Sequence, residues 1–133
     1  LKVTSVQDVG RVINQMGIEA QIEGGIVMGL GYAISEELQI EDGIVRNPSF
    51  RDYKLITAPE AQELDLHFIE NECLEGPLGA KGIAELPTIV IAPAVANAVY
   101  NAIGIRFFNP PLTPEKVARA IHDRRRGEAG QAA

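Results

Sequence analysis

Between residues 20 and 38, Ile22, Ile26, Leu30, Ala33 and Ile34 recur at the spacing of one helix face. Gly24, Gly25, Gly29 and Gly31 fall inside the same stretch. Glycine in a helix interior costs roughly 1 kcal/mol against alanine. A helix carrying several of them predicts close approach at those positions, by another element of the fold or by a ligand. That requirement shapes the reading of everything around it.

Residues 1–20 read as a short strand or turn region, with one helical turn near Val12 and Ile13. Glu41-Asp42-Gly43, between two short apolar runs, predicts a hairpin. Residues 46–63 are polar and irregular. Leu64, Leu66 and Phe68 alternate with Asp65 and His67, the pattern of a half-buried strand. Residues 71–87 hold Gly76, Pro77, Gly79, Gly82 and Pro87, a long glycine- and proline-rich loop of the kind that often carries function. A second helix is expected over 88–103, with Gly104 as its stop. Asn109-Pro110-Pro111 reads as an extended linker. Thr113-Pro114 starts a short amphipathic helix. From Arg124 on the chain is charged and small, and a frayed end is expected. The fold class is α+β: two main helices, a small sheet and a short C-terminal helix, with a folded portion over 1–121 and a flexible tail over 122–133.

Composition excludes several function classes. The 133 residues carry a formal net charge of −6, which argues against a nucleic-acid partner. One cysteine forms no internal disulfide, and one cysteine with two histidines builds no closed zinc site. The apolar stretches read as short and broken by charges or prolines, so no membrane span is expected. The chain opens at Leu1 without a leader, and we expect it to be part of a larger chain.

Most polar residues have plain readings. His67 reads as structural or solvent-facing, and His122 as sitting near a helix end. Cys73 has no basic neighbour in sequence to activate it. Arg124-Arg125-Arg126 reads as a solvated end, and the acidic pairs at 36–37 and 41–42 as a solvated face and a turn. One constellation remains, Gly79-Ala80-Lys81-Gly82-Ile83-Ala84-Glu85, in the long loop ahead of a helix. A glycine-rich backbone can bring N–H groups close to an anionic or polar ligand, and the helix after it adds a favourable field. It is not a P-loop, because the Lys-Ser/Thr ending is absent. Glu85 at its end is either a general base or a structural cap for the helix that follows.

The segment Gln21-Ile22-Glu23-Gly24-Gly25-Ile26-Val27-Met28-Gly29-Leu30-Gly31 resembles one near the C-terminal end of the molybdenum-binding subunits of the xanthine dehydrogenase / aldehyde oxidase family. Asp8-Val9-Gly10 with Ile13-Asn14 is similar to the segment before it. Gly79–Glu85 is similar to the loop that carries the family's catalytic glutamate, and Ala92–Val99 to the helix after it. Order and spacing agree across all four. The sequence departs from the family pattern at Gln15, Ala84 and Leu86, where proline, glycine and proline are common.

The resemblance implies a molybdenum hydroxylase, in which a molybdenum centre on a pterin dithiolene hydroxylates an aldehyde or N-heterocycle carbon with oxygen from water. By motif, Glu85 matches the base, which would be a partly desolvated carboxylate. Gln21 matches the glutamine that bonds the pterin, and Ile83 and Ala84 match positions whose backbone lies beside it. No residue here is expected to ligate the metal. Iron–sulfur clusters and FAD are expected on partner chains or domains. The expected partners are the remainder of the molybdenum-binding subunit and the iron–sulfur and flavin subunits, in the cytoplasm. The isolated chain is expected to be inactive and to self-associate through surface meant to be covered. The alternatives are a non-catalytic remnant or oligomerising interaction domain of the same fold, and a module for an unrelated anion at the glycine loop.

Overall fold

The computed structural model describes residues 2–131, the side chains of 128–131 excepted. In chain order it has β1 (Lys2–Asp8), α1 (Gln15–Ile34), β2 (Ile40–Glu41), β3 (Ile44–Val45), β4 (Glu63–Ile69), α2 (Leu86–Ile89), α3 (Ile91–Ile103) and α4 (Pro114–Gln131). Single 3₁₀ turns stand at Ala58–Glu60 and Pro77–Gly79. This is the α+β class expected. The chain forms two compact units.

The first unit runs to Gly29 and resumes over Ile56–Val90. Here β1 and β4 pair in parallel from Lys2↔Glu63 to Asp8↔Ile69. Parallel neighbours need a long crossover, and the intervening chain supplies it. The pairing extends past the strands: Val9 N–H donates to the Ile69 carbonyl at 3.1 Å, and Gly10 bridges to Ala80. Val9, Ile22, Ile26 and Pro87 are the most deeply buried side chains. Asn14 starts α1, its Oδ1 accepting the Gly17 N–H at 3.0 Å. That is the usual bond of a helix N-cap, so the helix begins five residues before the stretch from which it was read.

Gly25 is buried where α2 crosses α1: a side-chain carbon there would lie 3.0 Å from Pro87 Cβ and 3.2 Å from Thr88 Oγ1. The Thr88 hydroxyl donates to the Gly25 carbonyl at 3.1 Å. At Gly24, by contrast, nothing approaches within 4 Å. The close approach that the glycines predicted is therefore made by another element at Gly25, and Gly24 is left open.

The second unit holds Leu30–Leu55 and the chain from Ile91 on. Its buried side chains include Leu30, Ala33, Ile91, Leu112 and Asn47. Asn47 takes both ends of a turn: its Nδ2 donates to the Glu37 carbonyl at 2.7 Å, and its Oδ1 accepts the Gln39 N–H at 2.9 Å. The hairpin β2–β3 forms as expected, with Asp42 and Gly43 both at positive φ (51° and 76°), the turn geometry that Asp-Gly favours. Glu36 is not merely solvated, since Tyr53 OH donates to it at 2.8 Å.

Several expectations need correction. The helix expected over 88–103 is two helices, with a break at Val90. The C-terminal helix is longer than expected and continues through the arginines to Gln131, so most of the expected tail is helical; residues 132 and 133 lie outside the described residues. His122 accordingly sits mid-helix rather than near an end, 3.4 Å from Asp123. Arg124 is also engaged, donating at 2.6 Å to the Ile103 carbonyl at the end of α3, where Gly104 (φ 67°) stops the helix.

The apolar stretches are not all short. Leu86–Ile103 is 18 residues with a mean hydropathy of 1.5, long and apolar enough by length and composition to cross a membrane. The break at Val90 leaves α3 about 20 Å long, against about 30 Å for a hydrocarbon core.

Candidate functional site

The loop after β4 is laid onto the end of β1. Arg11 N–H donates to the Gly79 carbonyl at 3.0 Å, and Lys81 N–H to the Val9 carbonyl at 2.9 Å. Gly10 makes this possible. Its φ is +59°, and a side-chain carbon there would collide with the Gly79 carbonyl and lie 3.0 Å from Lys81 N. Leu78, at φ 56°, turns the chain just before the contact. A non-glycine residue in that region is uncommon and strained.

The four candidate residues come together on this platform. Gln21, on the exposed side of α1, donates from Nε2 to the Ala84 carbonyl at 3.1 Å. Ile83 is half-buried and lines, with Gln21, Val9, Arg11 and Lys81, a hollow of about 310 Å³. Ala84 is exposed and is not among the residues at positive φ, so alanine replaces the family's usual glycine without backbone strain. Glu85 is exposed and takes the N-cap position of α2. Its backbone carbonyl accepts the Thr88 N–H at 2.9 Å.

The Glu85 side chain makes no cap bond. It has no partner among the described residues, which weighs against the purely structural alternative. The desolvation expected for a base is not supplied by this chain. Ahead of it, the N–H groups of Gly82, Ile83, Ala84 and Glu85 donate to no partner among the described residues. Gly82 has open space where a side chain would stand. The helix field expected behind this run is reduced to the single turn of α2.

The other singled-out groups lie elsewhere. His67 is exposed and 3.2 Å from Asp65, which also meets Lys2 at 2.9 Å. Cys73 faces Glu75 at 3.9 Å. Among the described residues, no group of histidine, cysteine and carboxylate side chains is placed to hold a metal ion. Sequence reasoning missed the ion pair between Lys81 and Asp8 at 2.7 Å. Both residues stood in quoted motifs, and their opposite charges were the available signal. The hydrogen bond from Lys81, then that from the Gly10 N–H, holds the Asp8 carboxyl below its ordinary range.

Comparison with known proteins gives the chain its class. The profile of the molybdopterin cofactor-binding domain matches residues 1–62. The chain is 37% identical over 123 residues to the xanthine dehydrogenase molybdenum-binding subunit of Escherichia coli O157:H7, covering 91% of this chain and 16% of that one. It is also 37% identical over 123 residues to the nicotine 6-hydroxylase large subunit of Paenarthrobacter nicotinovorans, covering 90% and 15%. Among solved structures, quinoline 2-oxidoreductase from Pseudomonas putida 86 aligns with a TM-score of 0.83 at 30% identity, over 90% of this chain and 16% of that one. The aldehyde oxidoreductase from Desulfovibrio desulfuricans aligns with a TM-score of 0.82 at 31% identity, over 90% and 13%. The chain belongs to the xanthine dehydrogenase / aldehyde oxidase family of molybdenum-binding subunits. It spans about a sixth of the length of the curated relatives it matches.

The residues present suit a pterin cofactor. A flat, polar group with an anionic tail needs several hydrogen-bond donors and acceptors side by side. The free N–H run at 82–85 and the Gln21 amide oxygen offer that set, beside open space at Gly82.

Proposed function

We propose that this chain supplies the general base and part of the pterin-binding surface of a molybdenum hydroxylase acting on an aldehyde or an N-heterocycle. The observation that carries this reading is the Glu85 carboxylate at the end of four backbone N–H groups, all without a partner among the described residues. When bound, the molybdenum–pterin group supplies the oxygen-transferring and electron-accepting centre. The N–H groups of residues 82–85 hold polar edges of the cofactor. Gln21 presents its amide oxygen to it while its nitrogen grips the Ala84 carbonyl, so one side chain ties α1, loop and ligand together. Ile83 gives the cofactor an apolar rim. Glu85 takes the proton from the water-derived oxygen, because a carboxylate with no internal partner is free to accept it.

Burial around Glu85 is supplied in this reading by the remainder of the molybdenum-binding subunit. Iron–sulfur and flavin partners carry the electrons away. The isolated chain has no enclosed cofactor site and is inactive by itself. Glu85→Gln in the intact enzyme tests the reading. It removes the base and keeps the shape, so kcat should fall by roughly 10²–10⁴-fold, with molybdenum content unchanged. Full activity in that variant would overturn the role of Glu85.

A further inference from the structure

Lys81 is held at two points. Its N–H is fixed to the Val9 carbonyl, and its ammonium donates to Asp8 Oδ2 at 2.7 Å, a bond across 73 residues of sequence. Both side chains are about one-third exposed, at 32% and 36%, so the pair is partly shielded from water. Asp8 is oriented from its other oxygen, where Oδ1 accepts the Gly10 N–H at 3.1 Å. Beyond Lys81 the chain runs through Gly82, Ile83 and Ala84 with a single tie, from Gln21 to the Ala84 carbonyl, before Glu85. The last charged anchor ahead of the carboxylate is therefore Lys81. A lysine beside a site for an anionic cofactor invites reading as a cofactor ligand. Here its ammonium is engaged by a carboxylate on the neighbouring strand.

We propose that the Lys81–Asp8 ion pair is a latch that fixes the Glu85-bearing loop against the end of β1, and so sets where the Glu85 carboxylate stands. Lys81 and Asp8 are positioning residues, and Lys81 is not a cofactor ligand. The functional part of this inference rests on the reading of Glu85 as the base; the mechanical part does not.

The test uses the intact complex carrying Lys81→Met, Lys81→Arg, Asp8→Asn or the Asp8→Asn/Lys81→Met pair. Hydrogen exchange, molybdenum content, kcat and KM are measured for each. Lys81→Met and Asp8→Asn should each speed exchange at Arg11 and Lys81, whose N–H groups bond across the junction of loop and β1, by about tenfold while β4 is unchanged. Each should lower kcat by about ten- to a hundredfold, with KM and molybdenum content unchanged. The double variant should be no worse than either single one, because both remove the same contact, and Lys81→Arg should recover most of the loss. Asp8→Asn is nearly isosteric, so it decides the matter even where Lys81→Met fails to fold.

Unchanged exchange at Arg11 and Lys81, or an equal rise across β1 and β4, would overturn the latch. Loss of molybdenum with the loop still protected would make Lys81 a cofactor ligand and overturn it equally. Full activity of Glu85→Gln would defeat the reading of the base alone, and the exchange data would still decide whether the latch exists.

Discussion

Glu85 stands at the start of a helix without capping it by its side chain, which favours the general-base reading proposed above. Its neighbours divide the labour: Gly10 admits the loop, Lys81 fixes it, and Gln21 reaches its far end. Gly10→Ala should cost roughly 1–3 kcal/mol of stability, since it adds a positive-φ penalty to a backbone collision; thermal denaturation of the variant checks this. Asp8 gives the loop a pH dependence. Its folded pKa is lowered, first by Lys81, so its contribution is complete above the unfolded value of about 4. The contribution is lost as pH falls through the lower folded value. Loop protection should therefore weaken at acid pH, and Asp8→Asn should remove that acid limb; Asp65, also lowered by its hydrogen bond from Lys2, should keep its own share. Gln21, Ile83, Ala84 and Glu85 could be named as candidates from sequence because each lies in a motif that carries the family resemblance, and their roles rest on the proposal. The bond that ties Lys81 to Asp8 was not, because only the pairing of the loop with β1 brings together residues so distant in sequence.

α1 shows how much an apolar pattern can say and where it stops. Of the positions its spacing indicated, Ile22, Ile26, Leu30 and Ala33 are buried and Ile34 is half-buried. Its start was missed because Asn14 was not read as a cap and the turn after it holds few apolar residues. The adjacent glycines make a paired test. Gly24→Ala meets open space and should stabilise the isolated chain by about 0.5–1 kcal/mol. Gly25→Ala gains the same propensity but presses a methyl against Pro87 and Thr88, and it should lower the melting temperature instead. Both variants shifting the melting temperature in the same direction would contradict this account of the α1–α2 contact. The split at Val90 was missed although Pro93 marks it: a proline has no N–H to donate to the Ile89 carbonyl and crowds it, and α3 starts two residues before Pro93. The length of α4 was underread because its charged C-terminal half offers no apolar face, yet Arg124 uses that half to reach the end of α3.

Many apolar side chains of the chain face solvent. Leu74, Leu78 and Ile89 are 97%, 72% and 64% exposed in the first unit, and Phe50 and Phe108 are 82% and 83% exposed in the second. Apolar surface covered in a longer chain is left open in a piece of it, and the chain spans only 16% of the xanthine dehydrogenase subunit it matches. The isolated chain should therefore sediment as a dimer or larger species at micromolar concentration; a clean monomer would contradict that expectation. The α+β class and the family were legible in the sequence. The exposure was not, because a side chain's spacing reports its face and not whether anything covers it.

The measurement that bears most directly on the proposed function is the molybdenum content and intact mass of the complex, purified from its native source at endogenous level. The account predicts stoichiometric molybdenum with pterin and larger partner chains. A metal-free chain, or a self-oligomer without partners, would contradict it.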